Sequence, residues 1–123
     1  MPAPLVAFAA VFALCHGSHR ITCVVDGDTF WLAGEKVRIA DINAPETHGA
    51  GCAYELALGE AATRRLILLL NAAPFTLEPI DRERDRYGRL LRVVVRGGRS
   101  LGGELVAEGL AEPWRGRRGD WCV

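Results

Sequence analysis

From Arg20 onward the chain alternates short β-branched and aromatic runs with tight polar turns. RITCVV (20–25) predicts a strand, broken at Asp26-Gly27-Asp28, and TFWL (29–32) predicts the next. Ala33-Gly34 marks a turn, after which EKVRIA (35–40) alternates apolar and polar positions as a third strand. A polar loop containing NAPETH (43–48) then leads into YELALGEAATRRLILLLN (54–71). Leu58, Ala62, Leu66 and Leu69 or Leu70 recur there at helical spacing, and Asn71 is a fair stop. Residues 75–80 follow Pro74 as a strand, and LLRVVVR (90–96) predicts another, ended by Gly97-Gly98. Ser100 can cap a short helix that runs through Glu108 and stops at Gly109.

Three strands, a helix, two strands and a helix describe a mainly β protein with helices, of the α+β class. Five short strands interrupted by one helix suit a small closed barrel of the oligonucleotide-binding (OB) type. A parallel α/β fold would need helices between most strands, which this chain lacks. A plain α+β sheet stays open on pattern alone. There are no internal repeats and no low-complexity linker, and 123 residues make one domain with a single modest core. Half of the residues are hydrophobic, which argues against disorder.

Charge adds a local signal rather than a global one. Fifteen cations balance fifteen acids, so no overall basic field marks the chain as a nucleic-acid binder. Every cation except Lys36 is Arg, and ten of the arginines lie between Arg82 and Arg118. Arginine suits planar, two-pronged contact with phosphate or carboxylate. A GC-rich genome choosing Arg codons is the plain alternative.

The first nineteen residues form a separate apolar segment, and residues 20–123 the folded domain. The run from Leu5 to Leu14 is too short to span a bilayer but suits the hydrophobic region of a signal peptide, with Ala13 as a passable cleavage position. No Lys or Arg precedes it, and an extra strand or helix packed on the domain is the competing reading. Export to the periplasm or beyond is expected, with the segment as leader or membrane anchor. Four cysteines, Cys15, Cys23, Cys52 and Cys122, allow three pairings. The first two flank a short polar stretch and could staple a local loop, while Cys52 and Cys122 could tie the tail to the loop before the helix. Cys15, His16, His19 and Cys23 also raise zinc, although their spacing matches no common finger.

Four stretches could carry chemistry: VDGDT (25–29), Arg38 in the third strand, NAPE (43–46) and DRYGR (85–89). Each alone has a structural explanation. Asp-Gly favours a hairpin turn or bulge, Pro45 stiffens a corner, and the acids and arginines from Asp81 to Arg86 read as a solvated charge run. In combination they offer more. Asp28 and Glu46 supply hard oxygen and Asn43 an amide oxygen, the donor set that Ca²⁺ prefers. Arg38 and Arg89 supply two guanidinium forks for the oxygens of a phosphodiester. A carboxylate can take the proton of an attacking water, and Tyr87 could stack on a base.

Strand–DGDT–strand, VRIADINAPE, a helix and DRYGR, in this order, resemble the staphylococcal nuclease (thermonuclease) family across roughly residues 21–114. That resemblance implies the five-stranded OB barrel and Ca²⁺-dependent hydrolysis of DNA and RNA phosphodiesters. It puts Asp28 on the metal aspartate, Arg38 and Arg89 on the phosphate-clamping arginines, and Glu46 on the catalytic base. Ala44 falls where a backbone carbonyl meets the metal, and Arg86 and Tyr87 fall beside the nucleotide pocket. Asn43 departs from the family, whose second metal aspartate belongs there. With one charge fewer, weaker Ca²⁺ binding is expected, and Asn43→Asp is expected to tighten it. Asp41 could compensate, whereas His48 reads as a solvated loop residue.

The leading reading is therefore a metal-dependent endonuclease acting as a monomer on nucleic acid, single-stranded DNA or RNA. The alternatives are a nucleic-acid-binding barrel without turnover and an exported interaction domain held by two disulfides.

Overall fold

The computed structural model describes residues 6–123. The first five residues, including Leu5 at the start of the apolar run, lie outside the described part. One curled sheet forms the body. Its central strands are β2 (Cys23–Asp26), β3 (Thr29–Leu32), β4 (Glu35–Ile39), β6 (Phe75–Arg84) and β7 (Leu90–Arg96), with the short β1 (Ala7–Phe8) at one edge and β8 (Arg99–Ser100) on β7. The order is β1-β6-β7-β4-β3-β2, with β4 and β7 parallel and the other neighbours antiparallel. A second ribbon joins β5 (Ile42–Asn43) to β9 (Glu112–Pro113). Helix α1 (Ala53–Ala72) connects β5 to β6, and α2 (Leu101–Ala107), capped by Ser100 Oγ on the Gly103 amide at 3.0 Å, precedes β9.

A small closed barrel is the expectation from the strand pattern; the five central strands curl into a half-barrel with two helices, consistent with an α+β fold of the OB type. Two boundaries moved for physical reasons. The first central strand starts at Cys23 rather than Arg20, and a bulge between Val24 and Asp26 carries it into the Asp-Gly turn. β6 runs on to Arg84 instead of stopping at Ile80. Its charged half is held by ion pairs that local propensity does not register: Arg84 with Glu35 at 2.7 Å and Arg92 with Glu83 at 2.7 Å.

The core is built on three aromatic rings. Phe30 meets Phe12 and Phe75 edge-on, with centroids 5.8 and 6.4 Å away, and Leu66, Leu70, Val94 and Leu105 close around them. Phe12 belongs to the apolar N-terminal run, whose described part packs on the domain. The Asn71 side chain grips the Phe12 backbone from both sides, accepting from its amide at 2.7 Å and donating to its carbonyl at 2.9 Å. The Ala13 carbonyl and the Cys15 amide bond to Val24. A cut after Ala13 would therefore remove a fully buried Phe, at roughly 3–5 kcal/mol by analogy with truncating one.

Two glycines let the backbone segments of the site meet. A Cβ on Gly27 would lie 2.8 Å from the Cβ atoms of both Ala44 and Ala62, and one on Gly59 would lie 2.8 Å from the carbonyl oxygens of Pro45 and Glu46. Gly59→Ala should destabilise the domain by about 1–3 kcal/mol through overpacking, read as a lower urea midpoint. An unchanged midpoint would mean that loop and helix can separate freely.

Cys15 pairs with Cys23 and Cys52 with Cys122, across 8 and 70 residues of sequence. Both thiols of the zinc idea at residues 15–23 are thereby consumed. Loop-closure entropy predicts that losing the long crosslink costs roughly 4 kcal/mol and losing the short one about 2.5 kcal/mol. Paired Cys→Ser variants compared by thermal denaturation should show that order.

Candidate active site

The β2–β3 turn, strand β4 and the loop after β5 bring three expected residues into direct contact. Asp28 is 6% exposed and Arg38 also 6%, and Arg38 Nη2 lies 3.5 Å from Asp28 Oδ2. The same Oδ2 accepts the Ala44 amide at 2.9 Å, while Oδ1 accepts the Thr29 hydroxyl at 2.8 Å. Arg38 is further fixed by donating Nη1 to the Ile42 carbonyl at 3.0 Å, and the Trp114 ring lies 5.5 Å from its guanidinium carbon. The charge at position 28 is thus matched and oriented before any ligand arrives.

Asp26 sharpens the electrostatics. Burial, then the neighbouring Asp28 charge, pushes its carboxyl up to about 8. Its Oδ1 accepts the Asp28 amide at 3.2 Å. At that value Asp26 is mostly protonated at neutral pH and adds no full negative charge to the turn.

Glu46 stands at the end of the NAPE corner. Glu55 Oε2 accepts its backbone amide at 3.0 Å, and Glu55 Oε1 accepts the Gly51 amide at 2.9 Å, so one buried carboxylate at the start of α1 clamps both ends of the loop. The Glu46 side chain itself pairs with Arg118 of the C-terminal tail.

Arg86, Tyr87 and Arg89 sit on the turn between β6 and β7. They share an open cleft of about 880 Å³ with Arg38, Trp114 and Arg118. Arg89 donates Nε to Asp85 Oδ2 at 2.6 Å, and Asp85 Oδ1 accepts the amides of Tyr87 at 3.0 Å and Arg89 at 2.9 Å. Tyr87 is 68% exposed, with its ring centroid 4.9 Å from the guanidinium carbon of Arg86 and 5.3 Å from that of Arg89.

Asn43 is buried in β5, 2% exposed, and its Nδ2 donates to Glu112 Oε2 at 2.8 Å. Its Oδ1 is buried without a hydrogen-bond partner among the described residues. No group of three or more His, Cys, Asp or Glu side chains among those residues could hold a metal ion. A cation here would draw instead on the Asp28 carboxylate, the orphaned Asn43 Oδ1 and the Ala44 carbonyl, all oxygen donors of the kind Ca²⁺ accepts. Asp41, expected as a possible compensating acid, accepts the Ser100 hydroxyl on Oδ2 at 2.5 Å, and its Oδ1, like that of Asn43, is buried without a partner among the described residues. His48 is exposed beside Thr47.

Residues 36–119 match the family described as staphylococcal nuclease homologue. The chain belongs to the staphylococcal nuclease family. It is 38% identical over 93 residues to Endonuclease YncB of Bacillus subtilis (strain 168), covering 71% of this chain and 43% of that protein. It is equally 38% identical over 93 residues to the SPbeta prophage-derived endonuclease YokF of the same organism, covering 71% of this chain and 31% of the relative. The chain thus spans less than half the length of either relative.

Within this staphylococcal nuclease domain, four contributors escaped the sequence reading: Glu55, Glu112, Trp114 and Arg118. Glu55 had a signal, an acid at the third helical position after Cys52, where a side chain reaches back to loop amides. Glu112 and Arg118 had none, because their partners lie 69 and 72 residues away.

Burial opposes ionisation of Asp85, but the hydrogen bonds and charge of Arg89 outweigh it and hold the carboxyl below the ordinary aspartate value of 3.8. A depressed carboxyl contributes stability above its unfolded value and loses it as pH falls through the folded one. Asp85→Asn should therefore lower the thermal midpoint at neutral pH, and the difference from wild type should shrink below about pH 3.8. A pH-independent difference would exclude the ion pair as its source.

Proposed function

We propose that this chain is a Ca²⁺-dependent nuclease that hydrolyses phosphodiester bonds in DNA, RNA or both. The observation that carries this reading is the convergence of Arg38, Arg86, Tyr87 and Arg89 on one cleft. Asp28 is bonded to the innermost of these arginines and Glu46 is linked to the rim by Arg118. The guanidinium forks of Arg38 and Arg89 match the non-bridging oxygens of a phosphodiester and neutralise charge as it builds there. Tyr87 presents a ring face on which a nucleobase can stack. Glu46 orients a water and accepts its proton. Asp28, Asn43 and the Ala44 carbonyl would hold a Ca²⁺, which when bound would stabilise charge on the phosphoryl oxygens as a Lewis acid.

The names of the two Bacillus relatives support cleavage within a nucleic-acid chain, and here that activity is part of the proposal. Export is part of it too. All four cysteines are paired, which suits an oxidising compartment such as the periplasm or the medium. No helix among the described residues is long and apolar enough to cross a membrane. The protein acts as a monomer in this reading.

Asn43 favours a second reading, a barrel that binds nucleic acid without turnover, because a neutral residue stands where the family has an acid. The two differ in one assay. Cleavage of single-stranded DNA should require Ca²⁺ and stop with chelator, and Glu46→Gln should lower kcat by about 10²–10⁴-fold while substrate affinity stays near wild type. Binding that weakens with salt but yields no product under any metal condition would select the second reading. Full activity in Glu46→Gln would refute the proposed base.

A further inference from the structure

Asn43 and Glu112 are directly opposite one another in the antiparallel β5–β9 pair, and their side chains meet at 2.8 Å. Glu112 Oε2 also accepts the Gly119 amide at 2.8 Å, and Arg115 lies 3.6 Å from Oε1. An ionised carboxylate can only accept hydrogen bonds. The Asn43 amide must therefore turn its NH₂ to Glu112, which leaves Oδ1 on the other arm, buried and without a partner. A buried acceptor with no donor is unfavourable, and a bound cation or an ordered water would satisfy it.

We infer that Glu112 is a positioning residue for the cation site: its carboxylate orients the Asn43 amide so that Oδ1 is left free as a neutral ligand, one residue before the Ala44 amide that bonds Asp28. The inference rests on the cation reading of the preceding subsection and adds to it a reason for the family departure. The acid missing at position 43 is present across the strand pair, at Glu112. An Asp at position 43 would face that carboxylate directly, and like charges opposite one another in a strand pair are destabilising. The gain expected from Asn43→Asp on sequence grounds therefore does not apply while Glu112 is present.

The disulfide-anchored tail supports the arrangement. Gly119, three residues before Cys122, donates to the same Oε2 that holds Asn43. The positioning of a ligand at residue 43 thus depends on chain nearly eighty residues further on.

The test uses the full chain and two measurements. Calorimetry with CaCl₂ should show that Glu112→Ala weakens Ca²⁺ binding roughly 10-fold or more, as loss of a ligand's outer partner does. Glu112→Gln, whose amide oxygen can accept from both Asn43 and Gly119, should bind near wild type. Thermal denaturation without added metal supplies the second readout and does not depend on Glu112→Ala folding. Asn43→Asp should lower the midpoint beside Glu112 and recover it when combined with Glu112→Gln, and the double variant should bind Ca²⁺ more tightly than wild type. Wild-type affinity in Glu112→Ala, or an Asn43→Asp penalty that Glu112→Gln leaves unchanged, overturns the inference while the nuclease reading stands. A folded wild type that shows no Ca²⁺ binding overturns both.

Discussion

The site depends on one close approach of three backbone segments. The Asp26–Asp28 turn, the NAPE corner and helix α1 meet where Gly27 and Gly59 lack side chains, and Asp28 Oδ2 accepts the Ala44 amide across the junction at 2.9 Å. With no room for a Cβ at either glycine, the corner cannot withdraw from the turn without opening a gap beside Ala62 and Pro45. Asp28 and the Asn43–Ala44 backbone owe their proximity to this contact. Glu55 reinforces it from the helix side by taking the amides of Glu46 and Gly51 on one carboxylate.

Three arginines of the site each have an acid beside them, while Arg86 meets Tyr87 instead. Arg38 is matched by Asp28, Arg89 by Asp85 and Arg118 by Glu46. The exposed pairs elsewhere, such as Arg65 with Glu108, are of the kind that contributes little to stability in water. The buried Arg38–Asp28 pair is different, because removing either partner would strand a charge away from solvent. Such a pair stays ordered in the absence of a ligand.

The C-terminal tail completes the site although it carries none of the residues that the resemblance assigns. Residues 112–122 bring Glu112 to Asn43, Trp114 to Arg38 and Arg118 to Glu46, and Cys122 fastens the segment to Cys52 at the start of α1. A crosslink over 70 residues limits how far this exposed stretch can stray from the barrel.

Much of this was legible in the linear chain. Period-two runs and Asp-Gly or Gly-Gly turns determined the central strands, helical spacing of Leu58, Ala62 and Leu66 determined α1, and the motif order pointed to the family. Local chemistry was enough for these, because turns, caps and alternation are decided by neighbours in sequence. The extension of β6 to Arg84, the packing of Phe12 in the core, and the roles of Glu112, Trp114 and Arg118 were decided by tertiary structure alone. Each depends on a partner brought close by sheet topology or by a disulfide, and no local pattern encodes that distance. Asn43 shows both levels at once. The sequence by itself revealed that a charge was missing, and only the pairing of β5 with β9 revealed the carboxylate across from it.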